Sequence, residues 1–327
     1  MQIITDNDIT VAIQPCVATI GFFDGVHAGH RYLISQVREV AEERGLRSAA
    51  LTFPIHPRKV MNPAYTPQSL TSFDEKTDLL AELGLDYCFT LPFSPAVAAM
   101  TAREFMERVL KERCRAQCLV IGYDHRFGHN RSEGFDDYVR YGQEMGIEVI
   151  LAKAFSERIE GADVAVSSSL IRRQLLQGDM AGATRSLRHH YTLRGTVVGG
   201  FQVGHTIGYP TANVRVDDPE KLIPEGGVYA VWVWVDGQRH MGMLSIGTRP
   251  TFGDDFDRTI EVNILHFQAD IYGRPIRIAF VRRTRSEEKY DTVDQLVAQL
   301  HRDAEEVEAI LCADDQTPSS FANSSLR

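Results

Sequence analysis

The sequence predicts an α/β chain in two parts. An N-terminal doubly wound parallel sheet is followed by a small antiparallel β-barrel domain with a C-terminal helix. Three observations carry this. Strand-like and helix-like runs alternate through the first half, as in a parallel sheet with crossover helices. From Tyr191 onward, strand-like runs cluster, with Gly, Pro and Asp-Gly turns between them. One long amphipathic run, Val293 to Leu311, comes last.

In chain order, Val17–Gly21 reads as a buried strand. A helix from about His30 to Arg44 follows, with Leu33, Val37, Val40 and Ala41 on one face and Gly45 as its stop. Further strands are expected at Ser48–Phe53, Asp86–Leu91, Cys118–Gly122 and Ile147–Ala152. Helices are expected at Asp74–Leu83, Ala102–Cys114 and Gly134–Glu144. A helix opening at Ser167 ends at Gly178. The second half then offers strands at Tyr191–Val198, Val228–Val235, Arg239–Ile246, Thr259–His266 and Ile276–Val281. The expected domains are 1–186 and 187–312, with a polar, Ser-rich tail at 313–327 expected to be disordered.

Of the 327 residues, 43% are apolar and 24% charged, which is enough for two ordinary cores. The formal charge of −9 argues against nucleic acid as a partner, since no basic face is implied. It leaves room for small anionic substrates held by helix N-termini, a few cations or magnesium. No apolar run approaches a membrane span and no signal peptide is visible, so the chain is expected to be cytoplasmic. Cys16, Cys88, Cys114, Cys118 and Cys312 form no CxxC pair and read as reduced thiols.

Two constellations carry chemistry. In the first, Gly21-Phe-Phe-Asp-Gly-Val-His-Ala-Gly-His30 joins a strand to a helix. His27 and His30 can face one point before that helix, and Gly29 lets a ligand approach the backbone. Free N–H groups and the helix dipole favour a phosphate there, and two imidazoles can donate to its oxygens as charge develops. The layout suits nucleotidyl transfer from ATP. Surface histidines at a helix cap are the plainer alternative. Ser167-Ser-Ser-Leu-Ile-Arg172 opens a later helix whose hydroxyls and arginine could hold phosphates, or it is simply a capped helix.

Together these segments resemble the HxGH nucleotidylyltransferase superfamily with its SSTxIR-type element. Thr52-Phe-Pro-Ile-His-Pro57 and Ile121-Gly-Tyr-Asp-His-Arg-Phe-Gly128 are similar to the flavin-side loops of the FMN adenylyltransferase module of bacterial bifunctional FAD synthetases. The resemblance implies that His27, His30 and Arg172 are catalytic. It implies phosphate or ATP contacts at Gly21, Phe23, Asp24, Gly29, Ser167, Ser168 and Ser169. It places His56, Pro57, Asp124 and Phe127 at the flavin, with Phe127 stacked on the isoalloxazine ring. Read without it, Phe127 is also a core aromatic and Asp124 a turn residue. Ser169, Ile55 and His125 depart from the usual residues; Ser169 keeps the hydroxyl.

The second constellation holds Gly195-Thr-Val-Val-Gly-Gly200, Gly204 and Gly208-Tyr-Pro-Thr-Ala-Asn213. No Walker A loop or protein-kinase signature occurs. By spacing alone this is a turn-rich hairpin, and Glu261 an outward-facing strand carboxylate. Pro210–Asn213, Gly227-Val-Tyr-Ala230, Gly247-Thr-Arg-Pro-Thr-Phe252, Ile260-Glu-Val-Asn263 and the Arg285–Tyr290 segment follow one another as in riboflavin kinases. That resemblance implies Gly200, Gly204 and Gly208 at the ATP phosphates, Thr211 and Asn213 at Mg2+, Arg285 at the flavin and Glu261 as the base. Asn263 departs from the usual His or other large residue. The partners implied are riboflavin, FMN, FAD and ATP. The weaker readings are an NAD- or coenzyme A-type transferase, an aminoacyl-tRNA synthetase and a non-enzymatic flavin sensor. The kinase-like half, the absent KMSKS-like segment and the absent effector module tell against them in turn.

Overall fold

The computed structural model describes residues 1–5, 12–62, 64–66, 68–122, 125–159, 162–199, 208–250 and 256–316. The chain forms two compact units, Met1–Ser167 and Ser168–Arg327.

The first unit is a six-stranded parallel sheet of β1 (Gln2–Ile4), β2 (Cys16–Ile20), β3 (Arg47–Thr52), β4 (Tyr87–Thr90), β5 (Ala116–Ile121) and β6 (Glu148–Leu151), in the order β1-β4-β3-β2-β5-β6. Alternate residues of each strand serve opposite faces. Cys16, Ala18 and Ile20 enter one core with Phe105, Met106, Val109, Tyr138 and Met145. Val17, Ala50, Cys88 and Val120 enter the other with Ile34, Val37, Ala41 and Leu80. Both faces are therefore covered, which is why the strands read as nearly continuous apolar runs. The covering helices are α1 (Ala28–Arg44), α2 (Pro57–Met61), α3 (Phe73–Glu82), α4 (Pro95–Ala98), α5 (Ala102–Phe105) and α6 (Phe135–Met145). α5 runs on through Met106–Arg113 in wider π-type turns. α1 stops at Gly45, which takes a left-handed φ of 62°. A Ser72–Glu75 capping box starts α3. The chain lays down β3 and β4 on one side of β2 and β5 on the other. The crevice between β2 and β5 is thus the switch point where such sheets bind ligands. β1 was not expected, and neither was the small hairpin of β7 (Glu157–Ile159) and β8 (Ala162–Val164).

The second unit opens with α7 (Ser168–Leu176) and α8 (Met180–Leu187). By packing, the compact units part at 167/168; the boundary expected from sequence is 186/187. The reason is local: Ile171, Leu175, Met180, Ala183 and Leu187 are buried, and the Leu175 carbonyl accepts from the Glu225 N–H at 3.1 Å. The barrel closes in the order β10-β13-β12-β11-β14-β9. Its strands are β9 (Tyr191–Val198), β10 (Ala212–Val216), β11 (Gly227–Val235), β12 (Gln238–Pro250), β13 (Phe256–Ile264) and β14 (Pro275–Arg285). Tyr229, Val231, Val233, Leu244, Val262 and Phe280 are buried on the inward parity. On the outward parity, Val228, Ala230, Trp232 and Met243 pack under Val307 and Leu311 of α9 (Val293–Gln316).

α9 overruns its expected end. Residues 313–316, expected in a disordered tail, continue the helix because two carboxylates anchor them. Asp314 accepts from Trp232 Nε1 at 2.8 Å and pairs with His190 at 3.2 Å; Asp315 pairs with Arg239 at 2.6 Å. Residues 317–327 lie outside the described residues. The cysteines are free, and Cys312 is exposed while the other four are buried. No helix among the described residues is long and apolar enough to cross a membrane.

Candidate active sites

In the first unit, the loop leaving β2 delivers both histidines to the switch-point crevice. His27 is the N-cap of α1, and its Nδ1 accepts from the His30 N–H at 3.4 Å. Its proton must then sit on Nε2. The two rings stack at 3.6 Å and 17°. Phe23 meets His30 edge-on at 5.3 Å. Burial, then His27, Lys76 and His125, hold the His30 pKa well below its ordinary value, so the ring is neutral at working pH. A Cβ on Gly29 would come within 3.3 Å of the His27 ring, so the position needs a small residue.

Several residues of the motif have intramolecular roles. Asp24 is 4% exposed and its Oδ1 accepts from the Leu70 and Thr71 amides at 2.8 and 3.2 Å. It braces the loop from within. Phe23 is 1% exposed and buttresses His30. Gly21 is accounted for by that ring: a Cβ there would lie 2.8 Å from Phe23. Phe127, expected against a flavin, is a core residue that stacks on Tyr138 at 4.2 Å and 13°. Asp124 lies outside the described residues.

His56 and Pro57 start α2, with His56 as N-cap and Pro57 in the first turn. The His56 ring meets Phe22 at 4.6 Å and Tyr65 at 5.5 Å, and Ile55 and Met61 nearby are exposed. This is an open aromatic and apolar patch of the kind that takes a flat ring. Lys76 was missed by the sequence reading. It is buried at 2% exposure, and its Nζ donates to the carbonyls of Phe22 at 3.1 Å and Phe53 at 2.8 Å. Ser167 directly precedes α7, Ser168 and Ser169 form its first turn, and Arg172 is half-buried.

In the second unit, one row of directly paired residues crosses the barrel wall: Asn213, Glu261, Ser245, Val228 and Arg285. Directly opposed residues share a face, so this row points outward toward α9. Thr211 lies two residues before Asn213, and its hydroxyl donates to Glu261 Oε2 at 3.4 Å. A cavity of about 300 Å³ lies along this face, bounded by Glu261, Asn263 and Arg285 and by Leu296, Leu300 and Asp303 of α9. A second cavity of about 520 Å³ is bounded by the inward residues Val197, Ala212 and Val262 and by the segment Phe267–Tyr272. Thr211 borders both. Gly208 begins this segment with a left-handed φ of 82°. Gly200 and Gly204 lie outside the described residues.

Arg285 borders the smaller cavity, but its guanidinium is committed to Asp303 through bonds of 2.7 to 3.1 Å. Those bonds raise its pKa further. Asp303, 1% exposed, was not foreseen. Asn263 Nδ2 donates to the Pro210 carbonyl at 2.7 Å, so this departure from the usual residue holds the start of the Pro210–Asn213 motif.

Comparison with known proteins also finds two parts, with residues 170–186 in neither match. The FAD synthetase family model matches residues 10–169 and the riboflavin kinase family model matches 187–311. Curated relatives named bifunctional riboflavin kinase/FMN adenylyltransferase are similar along nearly their whole length. The one from Listeria monocytogenes is 36% identical over 90% of this chain and 91% of its own. That from Escherichia coli K12 is 36% identical over 89% and 91%. That from Bacillus subtilis is 32% identical over 89% and 90%. The crystal structure of a Streptococcus pneumoniae protein named macrolide-efflux protein has a TM-score of 0.83 at 32% identity over 94% of this chain and 98% of its own. What is shared there is the fold; efflux is said of the pneumococcal protein alone. With both halves matched in order and identity of a third across nine-tenths of the chain, this protein belongs to the bifunctional riboflavin kinase/FMN adenylyltransferase family.

Proposed function

We propose that the family's two reactions take place at separate regions, adenylyl transfer at the His27–His30 loop and phosphorylation on the barrel. The chain phosphorylates riboflavin to FMN with ATP, then adenylylates FMN to FAD with a second ATP, releasing pyrophosphate. The observation that carries the kinase reading is Thr211 at the border of two cavities, hydrogen-bonded to a carboxylate that borders only one of them. Riboflavin takes the smaller cavity, where Glu261 accepts the proton of the ribityl 5′-hydroxyl as its oxygen attacks the γ-phosphorus. ATP takes the larger one, so the phosphoryl group passes Thr211. Asn263 orients Pro210, and Arg285, fixed by Asp303, orients the flavin side.

No group of three His, Cys, Asp or Glu among the described residues forms a metal cage. The neutral oxygens of Thr211 and Asn213 suit Mg2+, which keeps waters and takes its other ligands from ATP. When bound, it would neutralise charge on the phosphates.

For adenylylation, an FMN phosphate oxygen attacks the α-phosphorus of ATP. His27 and the neutral His30 donate N–H groups to the phosphorus oxygens as charge builds. The phosphate roles of Ser167, Ser168, Ser169 and Arg172 are inferred from the sequence motif alone, and the patch around His56 and Pro57 receives the flavin ring. Free thiols and dependence on ATP fit the cytoplasm. The test is incubation of the full chain with riboflavin, ATP and magnesium, followed by chromatography. FMN should appear first and FAD later. Absence of either product would remove the corresponding reaction.

A further inference from the structure

The loop carrying His27 follows a strained path. Phe23 and Val26 both have positive φ, 54° and 40°, and both are buried. A β-branched residue in that region is a true outlier, and it persists only where neighbours over-determine it. The neighbours come largely from the segment leading into α3. Asp24 binds the Leu70 and Thr71 amides, and the Gly25 N–H donates to Thr71 Oγ1 at 3.1 Å. Arg31 Nε reaches the Val26 carbonyl at 3.1 Å. The deepest contact is Lys76. Its two carbonyl partners belong to Phe22, after β2, and Phe53, after β3, and its ammonium lies 4.2 Å from the Phe22 ring centre.

We propose that Lys76 is a positioning residue for adenylyl transfer: its ammonium ties together the loops that leave β2 and β3 and fixes where the His27–His30 pair stands. The proposal rests on the assignment of that pair to adenylyl transfer. Its electrostatic side follows from the groups present. Lys76 faces Asp24, the Cys88 thiol and His30; His30 in turn faces His27, Lys76 and His125. A cation beside His30 opposes its protonation. His30 Nδ1 is buried without a hydrogen-bond partner. A neutral ring protonated on Nε2 leaves Nδ1 as a bare acceptor and keeps one N–H to donate. Burial pushes Lys76 itself down to about 8. Its charge is therefore present at neutral pH but opposes folding there, and stability should rise as pH climbs from about 8 toward the ordinary lysine value.

The test uses full-length Lys76→Met, with riboflavin phosphorylation as the internal control. The kcat for FMN adenylylation should fall roughly 10²-fold, the scale of a misplaced reacting group. KM for ATP should stay within about twofold, and KM for FMN should rise, because Phe22 and the loop after β3 border the flavin patch. Phosphorylation should not change. The acid limb of the adenylylation kcat–pH profile should move to higher pH, because His30 loses the cation that resists its protonation. Lys76→Arg keeps charge and donors and should hold that limb in place. If Lys76→Met does not fold, Lys76→Gln is read the same way. Wild-type kcat, or an unmoved acid limb, in a folded uncharged variant overturns the proposal. Intact adenylylation in His30→Ala would instead overturn the reading beneath it, whatever Lys76 does.

Discussion

The two active regions solve one chemical problem, phosphorus transfer from ATP, in different surroundings: a loop braced by buried groups in one, the outer wall of a barrel in the other. In the first unit His27 is 7% exposed and Lys76 2%, while His30 is half-buried. In the second, Thr211, Asn213 and Glu261 are only half-buried, on the outer wall of a barrel. Imidazoles that must stay neutral and donate gain from a dry, cationic setting, because both features resist protonation. A carboxylate base gains from water, which keeps it ionised until the substrate covers it.

That contrast can be broken at four places. The largest effect is expected from Glu261→Gln, which keeps shape but cannot take a proton. Riboflavin phosphorylation should fall by about 10²–10⁴, while supplied FMN still becomes FAD. Normal phosphorylation would leave proton loss to water or to the substrate. Next, His30→Ala should slow FMN adenylylation by roughly 10²–10³ and spare the kinase; parallel loss of both activities in a folded variant would show that the sites are not separate. Third, Asp303→Ala leaves the Arg285 guanidinium without its carboxylate, and Arg285 is only 19% exposed in its side chain. Breaking a pair of that kind costs about 3 kcal/mol, to be read as a lower unfolding midpoint of the second unit and a higher KM for riboflavin. An unchanged midpoint would mean that water reaches the pair. Smallest, Arg172→Lys replaces a planar fork by a point charge. About tenfold slower adenylylation is expected, the worth of one charged hydrogen bond; a wild-type rate would assign Arg172 to solvent.

Much of this was legible. The strands of the parallel sheet announced themselves by apolar runs, and the His27–His30 motif lay at the predicted strand–helix junction. Strand β10 was hidden because Gly208, Pro210 and Asn213 read as turn formers; its pairing with Glu261 is a contact across some fifty positions of sequence. β1 is three residues long, too short for any periodicity to register. The two unforeseen charges share one cause. Lys76 occupies the same helical stripe as Phe73, Thr77 and Leu80, and Asp303 the same stripe as Leu300, Val307 and Leu311. A charged residue at such a position is ordinarily read as solvated. Here each meets a buried partner that only the tertiary fold supplies, two carbonyls in one case and a guanidinium in the other. Asp24 and Phe127 lie in motif loops, and both turn inward.

The chain has two tryptophans, Trp232 and Trp234, and both stand on β11. Arg239 lies 4.1 Å over one ring and Arg277 3.9 Å over the other, and the indole N–H of Trp232 is bonded to Asp314 in the last turns of α9. Emission excited at the red edge of the protein's ultraviolet band therefore arises wholly from the barrel. The unit bearing the histidines is dark at that wavelength. A single unlabelled sample thus yields two separable melting curves, one optical for the barrel and one from backbone dichroism for the whole chain. Loosening of the last helical turns should register first in the optical signal, as the Trp232 indole loses its carboxylate.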